Sequence, residues 1–147
     1  MDGISLALFE VLFIFLIGNI LHQKYKINKI NYIVYFWSIF TAFTGLWELF
    51  FILQYIDTCK LAKYYLKNNI HVWTHSYDIS YVLPWKFSKI FYSEYGAYAD
   101  REYMLEEDNW SRVIEGSHCV LCGFFALYAL ISLFYKKYNH YIVTLSI

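Results

Sequence analysis

Residues 4 to 21, ISLALFEVLFIFLIGNIL, run through eighteen positions with one ionisable side chain, Glu10. A helix rises about 1.5 Å per residue, so this run is long enough to cross the hydrocarbon core of a bilayer. Two more runs match it. Residues 31 to 56, NYIVYFWSIFTAFTGLWELFFILQYI, carry a single charge at Glu48, and residues 112 to 135 carry Glu115 and His118 and are closed by Lys136 and Lys137. Lipid offers backbone N–H and C=O groups no partner, so each run must satisfy its own backbone as a helix. The sequence therefore predicts an all-α fold, a polytopic membrane helix bundle with three clear transmembrane helices in one domain spanning 1–147. Residues 4–21 read as a membrane anchor and not a cleaved leader, since no basic segment precedes them and no small-residue cleavage site follows.

The connections complete this reading. HQKYKINK, residues 22 to 29, is polar and lysine-rich. Residues 57–109 form a long extramembrane loop whose Trp and Tyr residues favour the headgroup region, with one or two interfacial helices and the only proline, Pro84. Residues 138–147, YNHYIVTLSI, begin a partial fourth span; either the chain is part of a longer protein or this tail lies at the interface. The lysines at 24–29 and at 136–137 stand two crossings apart, so both face the cytosol under the positive-inside rule and the N-terminus is lumenal or external.

Composition excludes several classes. With 59% hydrophobic and 23% aromatic residues, the chain is too apolar for an ordinary soluble domain, and a net charge of zero with no basic patch argues against nucleic acid as a partner. Cys59, Cys119 and Cys122 are too few for a disulfide framework, and the CVLC pair has no second pair at ligand spacing, so packing is the reading for that pair. His71 and His75 share the i, i+4 spacing of a zinc site but lack the glutamate of that motif and a third ligand, and read as surface histidines. No metal and no cofactor is expected.

A carboxylate inside a span costs a few kcal/mol, roughly, and is by default a functional candidate facing the bundle interior. Glu10 has no polar neighbour one turn away and reads as structural or partly hydrated. Glu48 follows Thr44 by four residues and Glu115 precedes His118 by three, spacings that put each pair on one helix face. Burial raises a carboxyl pKa, and a second carboxylate raises one of a pair further, which is how two glutamates become one acid and one base near neutral pH. The alternative is that the acids bond to each other or to His118 and only hold helices together.

Two blocks carry a family resemblance. In EYGAYADREYMLEEDNWSRVIE, the positions Glu94, Tyr95, Asp100, Tyr103, Asp108, Asn109 and Glu115 follow the spacing of the emopamil-binding protein family of sterol isomerases. In TGLWELFFILQYID, Glu48, Phe51, Leu53, Tyr55 and Asp57 keep the spacing of that family's second span. The sequence resembles the family over roughly residues 40 to 135. It departs where Thr44 replaces a histidine before the first glutamate and His118 replaces a threonine after the second, a reciprocal exchange that would return the imidazole from the opposite helix. The loop is longer, the run before Asp100 has one extra residue, the basic residue stands at Arg101, and the family's later spans are absent from these 147 residues.

The resemblance implies a Δ8-Δ7 sterol isomerase of the endoplasmic reticulum membrane, working without a cofactor. One acid protonates the ring alkene, a carbocation forms, and a base removes a neighbouring proton. Glu48 and Glu115 are the implied proton-handling pair with His118 as relay; Thr44, Trp47, Phe51 and Tyr55 are the implied sterol-binding wall, whose ring faces can stabilise the cation. Glu94, Asp100 and Arg101 lie outside the span and read as fixing the loop against the membrane face. The implied partners are a sterol and the bilayer, with a homodimer left open. Two other functions stay open: a non-catalytic binder of sterols or cationic amphiphiles, which the loss of histidine at Thr44 favours, and a small structural membrane subunit.

Overall fold

The computed structural model describes residues 1–101 and 109–146, and its elements are helical apart from one isolated bridge between Asp2 and Ser76. In chain order they are α1 (Gly3–Tyr25), α2 (Tyr32–Leu53), α3 (Tyr55–Asn68), a 3₁₀ turn (Ile79–Val82) and α4 (Pro84–Glu94), which continues as a π-helical turn (Tyr95–Ala99). Next come α5 (Asn109–His118), a second π-helical turn (Cys119–Phe124), α6 (Phe125–Phe134) and α7 (Tyr138–Leu145). Three helical stretches, Gly3–Tyr25, Tyr32–Leu53 and Arg112–Phe134, are long and apolar enough to cross a membrane. Of the positions singled out in the sequence, Tyr103, Asp108 and Ile147 lie outside the described residues.

The second long helix ends three residues before the expected boundary. Gln54 leaves helical geometry at φ −113°, ψ 19° and becomes the N-cap residue of α3. Its carbonyl accepts both the N–H and the hydroxyl of Thr58, each at 2.9 Å, so the break starts a new helix at once. Tyr55 and Ile56, expected in the span, thus belong to α3, whose first turn carries Asp57, a favourable charge near a helix N-terminus. The loop supplies two helices of its own, α3 and α4. Pro84 opens α4 because its missing N–H and fixed φ suit the first helical position. Asn69 closes α3 with φ 52°, a left-handed conformation that asparagine tolerates better than most residues.

The chain divides into two compact units: the first holds Met1–Glu10 and Trp47–Gly116, the second Val11–Leu46 and Ser117–Ile147. The core of the first is built on Phe51, Tyr55 and Cys59, with Ile52 and Tyr92 packed against them. Ser88 Oγ donates to Trp47 O at 2.6 Å and Ser93 Oγ to Thr58 O at 3.1 Å, which ties α4 to α2 and α3. The start of the chain pairs with the loop before α4. Met1 and Tyr77 exchange two backbone bonds of 2.7 Å, and Gly3 N–H donates to Val72 O. Tyr65 and Tyr77 share a hydroxyl bond of 2.9 Å, and burial pushes both phenols above the ordinary tyrosine range.

Packing in the second unit follows the logic of lipid, where apolar burial does not drive helices together and small residues and polar bonds do. A Cβ on Gly45 would come within 2.5 Å of Gly123 Cα, so α2 and the second π-helical turn meet backbone to backbone. Beside that contact, Cys119 Sγ donates to Gly45 O at 3.2 Å. Tyr35 Oη donates to Gly18 O at 2.8 Å, and Ser38 and Tyr141 share a buried hydroxyl bond of 2.8 Å that fastens α7 to α2. Outward residues such as Leu12, Ile33 and Trp37 are exposed, as suits side chains meeting lipid.

Candidate functional site

Each long helix shows a stripe of buried positions, and the intramembrane acids lie on those stripes. In α1 the stripe is Leu6, Glu10, Ile14 and Gly18; in α2 it includes Gly45, Glu48 and Phe51. Along Arg112–Phe134 half-buried Glu115 and Cys119 lead into buried Gly123, Ala126 and Leu130. Positions three or four apart share a helix face, so a carboxylate in register with the stripe is turned away from the exposed side. Glu10 and Glu48 are buried, with 4% and 5% of their surface exposed, and Glu115 is half-buried. All three belong to the first unit.

The same unit brings together several of the residues expected to form the site. Phe51 is fully buried, stacks on Tyr92 with ring centroids 4.4 Å apart, and meets the Tyr55 ring edge-on at 5.5 Å. The Tyr92 hydroxyl points at Glu115 Oε2 from 3.5 Å, the outer limit of a hydrogen bond. Arg112, one turn before Glu115, sits over the Tyr55 ring at 5.3 Å. Gly116 faces Ile52, where an added Cβ would stand 3.6 Å from Cδ1. Glu115 is thus set at the edge of an aromatic stack contributed by α2, α3 and α4. Trp47 is buried on the same helix as Phe51 and packs on Phe87 with centroids 5.2 Å apart.

Thr44 and His118 belong to the second unit. Thr44 is half-buried, and its hydroxyl donates to Thr41 O at 2.9 Å, which engages it with its own helix. His118 is exposed, whereas Glu115, three residues before it, is half-buried.

Sequence reasoning passed over one participant and one contact. Tyr92 lies in α4, outside the spans, and nothing in its spacing marks it as the partner of Glu115; only the fold of the loop back onto α2 does. Glu94 and His71 are the other case. Glu94, on the last turn of α4, is buried, with Oε1 3.0 Å from His71 Nδ1 and Oε2 accepting the Val72 N–H at 2.9 Å. His71 stacks on the Tyr98 ring at 4.0 Å, and the Tyr98 hydroxyl shares its proton between Tyr65 O and Ile70 O. His71 is exposed yet bonded. Glu94 fixes the loop through these contacts, whereas Arg101 donates Nε to Ala97 O at 3.2 Å and steadies the π-helical turn.

Among the described residues no group of three His, Cys, Asp or Glu side chains is placed to hold a metal ion. The first unit instead offers carboxylates on helices long and apolar enough to cross a membrane, with Glu115 beside π-rich faces, an arrangement suited to moving a proton on an apolar molecule or to neutralising a cation. The chain matches no protein-family model, no curated protein and no solved structure.

Proposed function

We propose that this chain is a sterol Δ8-Δ7 isomerase of the emopamil-binding type, acting in the endoplasmic reticulum membrane. The observation that carries the reading is the setting of Glu115, half-buried at the edge of the Phe51, Tyr55 and Tyr92 rings in the same compact unit as buried Glu48. A carboxylic acid shielded from water is a better proton donor to an alkene near neutral pH, and the resulting carbocation is protected from water and stabilised by negative charge or π faces close by. Glu48 and Glu115 supply the proton-handling groups, and the three rings supply the faces. The two sequence blocks that resemble the family centre on these same two glutamates.

A second reading, a non-catalytic binder of sterols or cationic amphiphiles, draws on the pair that departs from the family. Thr44, which carries no imidazole, donates its hydroxyl to its own helix, and His118 is exposed, which weighs against a buried imidazole relay. The carboxylates would then act as counter-ions for an amine or as contacts for a sterol hydroxyl.

The test is sterol analysis of a yeast strain lacking its own Δ8-Δ7 isomerase, expressing this chain or its Glu48→Gln, Glu115→Gln and His118→Ala variants. Restored Δ7 sterol that disappears in both glutamine variants supports catalysis, and the histidine variant decides whether the relay exists. No conversion despite confirmed membrane expression overturns the isomerase reading. Saturable sterol or amine binding by the same chain then selects the binder.

A further inference from the structure

The loop before α4 and the turn after it build a second cleft, separate from the glutamates of the spans. Its walls are Trp73, Phe91, Tyr95 and Tyr98, with Glu94 and Ala99 completing a volume of about 240 Å³. Four aromatic rings and one buried carboxylate form an unusual lining. Trp73 and Phe91 stand nearly perpendicular, at 83° with centroids 6.2 Å apart, which gives two walls of a box. Tyr98 is fixed by its stack on His71 and by its hydroxyl bonds to the end of α3. Whatever enters meets rings already held in place.

The carboxylate narrows the chemistry. Both Glu94 oxygens already face donors, the Val72 N–H and the His71 imidazole. A primary ammonium has three N–H donors to satisfy, and although Glu94 keeps lone pairs beyond these two bonds, the ring faces around it offer no further strong acceptors. A quaternary ammonium donates no hydrogen bond. It needs only negative potential and π faces, which are the elements of an aromatic cage.

We infer that this cleft binds a trimethylammonium group of the choline type. Its position fits a lipid headgroup, since Val72 O accepts the Gly3 N–H, and Gly3 begins a helix long and apolar enough to cross a bilayer. Trp73 therefore stands where a membrane-crossing helix starts, at the depth where choline headgroups lie. Arg101, exposed and two residues beyond Ala99, offers a cation for the adjoining phosphate. The inference does not rest on the isomerase reading, because neither Glu48 nor Glu115 lines the cleft.

The test is equilibrium binding of radiolabelled choline and of lysophosphatidylcholine to the full chain in nanodiscs of phosphatidylglycerol, which carry no choline. Saturable binding that ethanolamine competes at least about tenfold more weakly is the expected result. Tyr95→Phe keeps the ring and should bind normally, whereas Tyr95→Leu and Glu94→Gln should each weaken binding about tenfold. Tyr95 is partly exposed, and thermal unfolding of each variant in the same nanodiscs separates lost binding from lost structure. Binding of lysophosphatidylcholine alone assigns the site to a lipid headgroup, and equal binding of choline assigns it to a soluble ligand. Absence of saturable binding to either, or binding indifferent to Tyr95→Leu, overturns the inference.

Discussion

Gly45 and Gly123 meet so closely that a methyl group on Gly45 would lie 2.5 Å from the Gly123 α-carbon. The obstructing atom is backbone, which cannot rotate away as a side chain can. The π-helical turn at Cys119–Phe124 carries Gly123 into this contact, and the Cys119 thiol bonded to Gly45 O closes it.

Gly45→Ala should therefore destabilise the chain by about 1–3 kcal/mol, the usual cost of overpacking. Gly116→Ala is the contrasting case. Its Cβ would meet Ile52 at an ordinary 3.6 Å, and alanine is the better helix former, so this variant should be neutral or stabilised by up to about 1 kcal/mol. Thermal unfolding in detergent, compared across the two variants, checks both signs; equal losses would show that the glycine contact has no special role.

Phe51 is fully buried between Tyr55 and Tyr92. Phe51→Ala should cost about 3–5 kcal/mol, from lost burial and the cavity left behind. Phe51→Leu should cost much less. Chemical unfolding of the two variants tests this, and similar losses would mean that the stack collapses around any replacement.

Glu94 is the acceptor for the buried Val72 N–H. Glu94→Ala leaves that donor without its acceptor and should cost about 1–3 kcal/mol, while Glu94→Gln retains a carbonyl oxygen for it and should cost less. His71→Ala removes only a partly exposed partner, worth less than about 1 kcal/mol. Protease sensitivity of the segment 70–77 reads the order directly, and an unchanged cleavage rate in Glu94→Ala would refute it.

The buried Tyr65–Tyr77 pair makes a prediction about alkaline pH. Both phenols have folded pKa values raised by burial above the unfolded value of about 10. Their contribution is complete below about pH 10 and is lost as pH rises through the folded values. Absorbance titration of the native chain minus Tyr65→Phe should show a phenol that ionises later than free tyrosine. A difference curve centred near pH 10 would contradict the burial argument.

Apolar runs and their periods determined the helices of this protein. Bilayer-length stretches around Glu10, Glu48 and Glu115 dictate three long helices whatever else the chain does, because backbone groups in lipid have no other partner. The three-to-four-residue spacing that aligns Glu48 with Phe51, or Glu115 with Cys119, is local as well, and Pro84 marks the start of α4 by its own ring. Tertiary structure decided what these helices meet. The break at Gln54 is stabilised by Thr58, and the two π-helical turns reset the register after Glu94 and His118. Tyr92 reaches Glu115 across twenty-three residues and His71 reaches Glu94 across the same interval, while Gly45 finds Gly123 only when the chain returns. Periodicity records which face of a helix is buried, but it holds no information about which distant side chain will lie opposite; that is fixed by how the loop folds back, where a bond of about 3 Å forms or fails on the position of the whole backbone.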